Sequence, residues 1–421
     1  MTASKSATGT GRIETDSVAA RAGRDGAAGR ATAHEPLSFL DRVFPSAGEA
    51  IWLPGQKLCI ANADAARAIL ANAEGAYEEH SDFFRTRRGT FGPRAAQVAI
   101  GGSARALLTA HRTAHAGRLG DAVRMLAPVS EWPDAGNRLV YAHLAEALLS
   151  PARSGSRSRW SSRGRSNAPA RSSSPPSPLR RTLDDVVARA VLAGARERQS
   201  RLGRAVLRFR VAMELGRALE ESRKGTGEPA DLLDVVARGA PPDAAISDLV
   251  EVYLSFVFAI AGSVGFTLGW SVYLLGTHPD VRAEPAWIVR EALRLWPVAW
   301  MLARRPARTH DVLGVRVTPK DYVVVCPYLV HRNPKYWDEP RRFRPQRWAS
   351  PETKRAFMPF GFGPHACAAG SLSMQLVEDI LRILAGDYAL TAETIDPRPH
   401  IGPALAPPRF ALHLRRRSGP R

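Results

Sequence analysis

Residues 357–370 read FMPFGFGPHACAAG, with a lone cysteine, Cys367, among three glycines and three phenylalanines. A cysteine does chemistry as a thiolate, and a helix N-terminus favours that form through its unpaired N–H groups and dipole. The run SLSMQLVEDILRILAGDY predicts such a helix just after Cys367. Gly361 and Gly363 allow tight turns upstream, so the backbone can approach a bulky group. Phe360 and Phe362 offer flat apolar surface beside it. A metal held only by protein would need more ligands than His365. A single thiolate suffices for iron already held by a porphyrin. Two other readings use the same residues: an inert cysteine in a glycine-rich turn, and a Cys367 nucleophile assisted by His365 in a protein without haem.

Further pairs lie upstream. EALRLWP sets Glu291 and Arg294 three apart on one helical face, which by itself describes a surface ion pair worth about 0.2–0.5 kcal/mol. FRPQRW adds Phe343, Pro345 and Arg347.

With these residues in place, the chain resembles the cytochrome P450 family. Phe360, Gly361, Gly363, His365, Cys367 and Ala369 match its haem-binding signature. Glu291 and Arg294 match its Glu-x-x-Arg pair, and Arg347 the arginine that joins them, although Gln346 stands where glutamate is usual. The resemblance extends from about Trp270 to Tyr388 and is weak before Val250.

It implies haem b, with Cys367 as axial thiolate, Phe360 and Gly361 beside the ring, and His365 on a propionate. Arg304, with Arg305 as the alternative register, would hold a propionate from the sheet. LLTAHRTAH is similar to the family's Trp-x-x-x-Arg pattern with Leu108 for tryptophan, which makes Arg112, and less directly His111, propionate ligands. The usual Ala-Gly-x-Asp/Glu-Thr of the oxygen-activating helix is broken. Ala261 and Gly262 precede Ser263, Val264 and Gly265, so the acid and alcohol are missing, and Ser263 and Thr267 are the nearest hydroxyls. Thr267 lies about 200° around the helix from the usual alcohol.

The implied activity is a monooxygenase that inserts one atom of O2 into a small organic substrate, in bacterial specialised metabolism by analogy. Its electrons would come from a ferredoxin or flavodoxin. The missing acid and alcohol leave two alternatives: a haem-thiolate peroxygenase, or a coupling or rearranging enzyme of the same fold.

The elements that must position these residues read as a mainly α, α+β chain: a helical domain around a buried haem, with a small N-terminal β region. The 421 residues are 45% hydrophobic and 24% charged, a globular composition. IWLPGQKLCIAN predicts two strands around Pro-Gly, and ADAARAILAN a helix. Residues 252–275 carry no charge, a length that could cross a bilayer. Seven glycine, serine and threonine positions dilute the run, which favours a buried central helix.

Residues 1–35 read as a disordered tail, 36–413 as a single domain with a low-complexity loop at 151–181, and 414–421 as a basic tail. The loop and tail hold twelve arginines; without them the net charge of +19 falls to about +7. No nucleic-acid signature accompanies that charge. Three cysteines and no apolar leader or anchor predict a reducing, cytoplasmic location and no disulfide framework. The protein is expected to be a monomer.

Overall fold

The computed structural model describes residues 36–79, 81, 83–154, 175–192, 201–350 and 355–417. Residues 1–35 and 155–174 therefore lie outside the described residues, and with them the expected tail and most of the expected loop.

The chain opens with helix α1 (Pro36–Ala47) and strands β1 (Ala50–Leu53) and β2 (Lys57–Ile60), the expected hairpin turning through Gly55 and Gln56 at positive φ. Helix α2 (Ala63–Ala71) follows, capped by the Asn62 side chain, which accepts the Ala65 N–H at 2.8 Å. Helix α3 (Arg94–Ala114), strand β3 (Val129–Trp132) and helix α4 (Asp134–Leu148) come next.

The ends of the expected loop are ordered, which corrects its boundaries. Pro151–Ser154 form a helical turn, and α5 (Pro178–Ala190) begins where Ser177 caps the Arg180 N–H and Pro178 supplies a preset first turn. Ser177 N–H donates to Ser154 O at 2.8 Å, so the base of the segment is closed. Helices α6 (Arg201–Arg223) and α7 (Leu232–Gly239) complete this side.

The uncharged run lies within one helix of 32 residues, Ile246–Thr277. Its parts are α8 (Ile246–Phe258), a π-helical turn (Ala259–Val264) and α9 (Gly265–Thr277). Among the described residues it is the one helix long and apolar enough to span a membrane, but here Tyr253, Val257, Leu268 and Trp270 are buried in the core. Trp270 stacks on Trp296 with centroids 4.3 Å apart, and its indole donates to Leu405 O at 3.1 Å. Gly265 and Gly269, one turn apart, let α4 lie against the helix. A Cβ at Gly265 would stand 2.9 Å from Asn137 Cα, and one at Gly269 3.4 Å from Pro133 Cβ.

Helix α10 (Pro285–Leu295) starts a few residues after the central helix ends. Strands β4 (Leu302–Arg304) and β5 (Tyr322–Val325) complete a four-stranded sheet in the order β1-β2-β5-β4, with β2 and β5 parallel. The cysteine loop leads into α11 (Gly370–Asp387). Strands β6 (Tyr388–Asp396) and β7 (Arg409–Arg416) then pair with each other, and β7 also pairs with β3. Residues 414–416 of the expected basic tail thus belong to a strand, because Phe410, Leu412 and Leu414 alternate inward and carry the pairing on to Tyr388↔Arg416. One hydrophobic cluster runs from Leu37 to Leu414, and a smaller one lies around β2 and α2.

Candidate active site

Each glycine of the Cys367 loop has a steric reason. Gly361 and Gly363 adopt φ of +74° and +75°, and a Cβ on Gly363 would lie 2.8 Å from Ala71 Cα at the end of α2. A Cβ on Gly370 would lie 2.9 Å from the Phe360 ring. Cys367 N–H donates to Phe360 O at 2.9 Å and Gly370 N–H to Cys367 O at 3.2 Å, closing the loop onto the start of α11.

Cys367 is exposed, whereas Cys59 and Cys326 are buried. The surrounding protein nevertheless desolvates its thiol and pushes it up, against an opposing hydrogen bond from the Ala369 backbone. The helix-start effect expected from sequence is therefore present but loses to burial. A bound cation beside such a thiol would favour its thiolate form.

His365 turns both ring nitrogens away from the cysteine. Nε2 lies 2.8 Å from Glu79 Oε1, and Nδ1 3.2 Å from an Arg94 guanidinium nitrogen. Arg94, the first residue of α3, also donates to Pro364 O. The Cys367–His365 nucleophile pair is thus not assembled. Burial, then the charges of Arg94 and Arg304, lower the His365 pKa, with Glu79 opposing. Arg304, buried at the end of β4, is therefore within electrostatic reach, and it donates to Ala303 O at 2.8 Å. Arg94, Arg304 and His365 form a carboxylate-binding corner in which Glu79 already places a carboxylate.

Arg112 and His111 are engaged with other partners. Helices α3 and α11 run side by side: a Cβ on Gly101 would lie 3.7 Å from Ala368, just before α11, and eleven residues on from each Arg112 bonds Asp379 at 2.8 Å and Gln375 at 3.2 Å. That offset is about 16 Å of helix. His111 bonds His143 O at 2.9 Å and packs against the His115 ring. Arg94 escaped the sequence reading because 271 residues separate it from His365; its only local sign was an arginine opening a helix after Gly92 and Pro93.

Glu291 and Arg294 are both buried, not a surface pair. Arg294 donates to both Glu291 oxygens, at 2.9 and 2.8 Å, and to the carbonyls of His331, Pro340 and Arg342. Arg347 Nε, the Arg344 N–H and the Trp348 indole complete the carboxylate's shell at 3.0, 3.0 and 2.9 Å. His331 ties this network to the cysteine loop by accepting the Met358 N–H at 2.9 Å. Burial, then the charges of Arg294 and Arg332, push His331 down to about 3, so it is neutral.

In the central helix, Thr267 is buried and spends its hydroxyl on Ser263 O at 2.9 Å. Ser263 is half-buried. Val264 and Gly265, where acid and alcohol are expected, are buried, and Gly265 is packed against α4.

This donor set fits a haem. Cys367 offers one accessible thiol, and no cluster of three metal-ligating side chains occurs among the described residues, so iron would need a macrocycle for its other bonds. Arg94, Arg304 and His365 provide for the carboxylates that such a macrocycle carries.

A cytochrome P450 family model matches residues 286–384. A putative cytochrome P450 of Caenorhabditis elegans is 30% identical over 247 residues, 46% of this chain and 48% of that protein. Cytochrome P450 3A5 of Homo sapiens is 33% identical over 153 residues, 29% of this chain and 30% of that protein. Cyclooctat-9-en-7-ol 5-monooxygenase of Streptomyces melanosporofaciens is 25% identical over 204 residues, 41% of this chain and 44% of that protein. In these alignments the chain spans about half the length of its curated relatives, or less. A solved zebrafish cytochrome P450 with abiraterone shares the fold, with a TM-score of 0.68 at 19% identity over 91% of this chain and 99% of that one. The matched sequence contains the whole Cys367 loop and the Glu291 network, the backbone follows the layout of a solved cytochrome P450, and sequence and fold both support the cytochrome P450 family.

Proposed function

We propose that the protein is a haem-thiolate monooxygenase: with two electrons and two protons it inserts one atom of O2 into an organic substrate and releases the other as water. The observation that carries this reading is the accessible, desolvated Cys367 thiol beside a carboxylate-binding corner. Bound haem would supply the redox-active iron.

The chain's own residues do the rest. Cys367 would hold the iron, and Arg94, Arg304 and His365 would hold the propionates in place of Glu79. The Glu291 network fixes the loop through His331 and Met358. Ser263 is the hydroxyl of the π turn free to pass a proton, since that of Thr267 is engaged.

Electrons come from an acidic ferredoxin or flavodoxin, attracted by the surplus positive charge. The substrate is a small apolar molecule of bacterial specialised metabolism, a reading supported by the Streptomyces relative's name. Two buried, unbridged cysteines support a reducing, cytoplasmic location.

The absent carboxylate on the widened turn favours one second reading, a peroxygenase that takes both oxygen and protons from peroxide. The reduced, carbon monoxide-treated protein should absorb far to the red of histidine-ligated haem, and Cys367→Ser should abolish that band. A parent that binds no haem refutes both readings. Turnover with peroxide but none with reductase and O2 selects the second.

A further inference from the structure

The π turn has a partner outside its own helix. Asn137, on α4, is fully buried, and its Nδ2 donates to Ala261 O and, at 3.4 Å, to Gly262 O. A π turn shifts its carbonyls off the α-helical ladder, and a side chain inserted into that ladder holds such a distortion in place. Asn137 can reach because Gly265 has no Cβ to keep the α4 backbone away. Its position is fixed in turn by Pro133, which packs on Gly269 one turn further along. The amide is not fully used: Asn137 Oδ1 is buried with no hydrogen-bond partner. A buried acceptor in that state recruits a donor, and an ordered water is the smallest that fits a polar recess.

The geometry points to Asn137 as a positioning residue of the oxygen-activating site: its amide clamps the π turn that carries Ser263, and holds a buried water through Oδ1. This rests on the haem reading above and deepens it. Val264 and Gly265 supply neither acid nor alcohol, so the polar group that shapes this turn comes from the neighbouring helix instead.

The test uses the full chain in two variants. Asn137→Leu keeps the approximate volume and removes both polar atoms, whereas Asn137→Ser leaves a hydroxyl and room for a water on the same carbonyls. Amide hydrogen exchange across residues 259–265 should be about tenfold faster in Asn137→Leu and return most of the way in Asn137→Ser; tenfold corresponds to about 1.4 kcal/mol, the size of one buried hydrogen bond. In haem-loaded protein, the share of reducing equivalents lost as hydrogen peroxide should rise several-fold in Asn137→Leu and fall back in Asn137→Ser, with the red-shifted band unchanged in both.

If Asn137→Leu does not fold, Gly265→Ala, which pushes Asn137 off the turn, should give the same two changes. A folded Asn137→Leu matching the parent in exchange and peroxide release overturns the clamp. A parent that takes up no haem refutes the functional reading, while the exchange measurement still decides whether Asn137 holds the turn.

Discussion

Glu291→Gln is the most informative single change outside the cysteine loop. The carboxylate receives five hydrogen bonds: two from Arg294, and one each from Arg347, the Arg344 backbone and the Trp348 indole. Both partners of the central pair are buried, so water cannot replace what is lost. The amide keeps the shape but removes the negative charge, and it turns an NH2 toward donors. Breaking a buried pair by removing one partner costs about 3–5 kcal/mol, because it strands the other charge. Against a total stability of about 5–15 kcal/mol, that is a large fraction. A pair on the helix surface would have cost only about 0.2–0.5 kcal/mol, so the two pictures differ roughly tenfold. Urea unfolding of parent and variant, with the midpoint shift multiplied by the common slope, measures the difference. Arg316→Gln, which breaks an exposed pair with Asp311 at 3.3 Å, serves as control and should shift nothing measurable. A Glu291→Gln protein within about 1 kcal/mol of the parent would refute the claim that the network is desolvated and cooperative.

The depressed His331 gives a pH signature. The unfolded imidazole takes up a proton near 6.5 and the folded one only near 3, so the unfolded state binds more protons in that window and stability falls as pH falls through it. His331→Asn should flatten that acid limb by up to about 1.4 kcal/mol per pH unit, read from urea midpoints between pH 6.5 and 4; an unchanged slope would mean His331 is not buried neutral. Arg94→Leu should weaken haem retention about tenfold or more in competition with apomyoglobin, the scale of one charge-assisted hydrogen bond, while Arg112→Leu should leave it unchanged; the reverse result would restore the assignment made from sequence. Replacing residues 155–174 with a short Gly-Ser linker should move the melting temperature by no more than about 2 °C, because Ser154 and Ser177 already close the base and shortening a loop changes its closure entropy little; loss of folding would refute this.

What could be read from sequence was what sits close together in the chain. The Cys367 loop declares itself within ten residues, and Glu291 with Arg294 within four, because one backbone segment must present those groups together. Their burial was not legible: a Glu-x-x-Arg spacing is the same on a wet face and a dry one, and only the carbonyls of His331, Pro340 and Arg342 decide it. The spacing that singled out Arg112 did not show its partners, Asp379 and Gln375, which lie 267 and 263 residues away. Arg94 and Asn137 act across 271 and 124 residues, and neither lies in a pattern of its own. Arg415 and Arg416 looked like tail because their charge masked the two-residue alternation of Phe410, Leu412 and Leu414.

The glycine at 265 also limits the routes by which this chain could change. Any larger residue there would meet the main chain of α4 as well as the Asn137 side chain, so a hydroxyl or carboxylate could enter only if the helix moved outward and gave up its seat at Gly269. The two positions are therefore tied to one another: an acid or alcohol cannot be placed at 265 without displacing the contact that Asn137 makes with the turn.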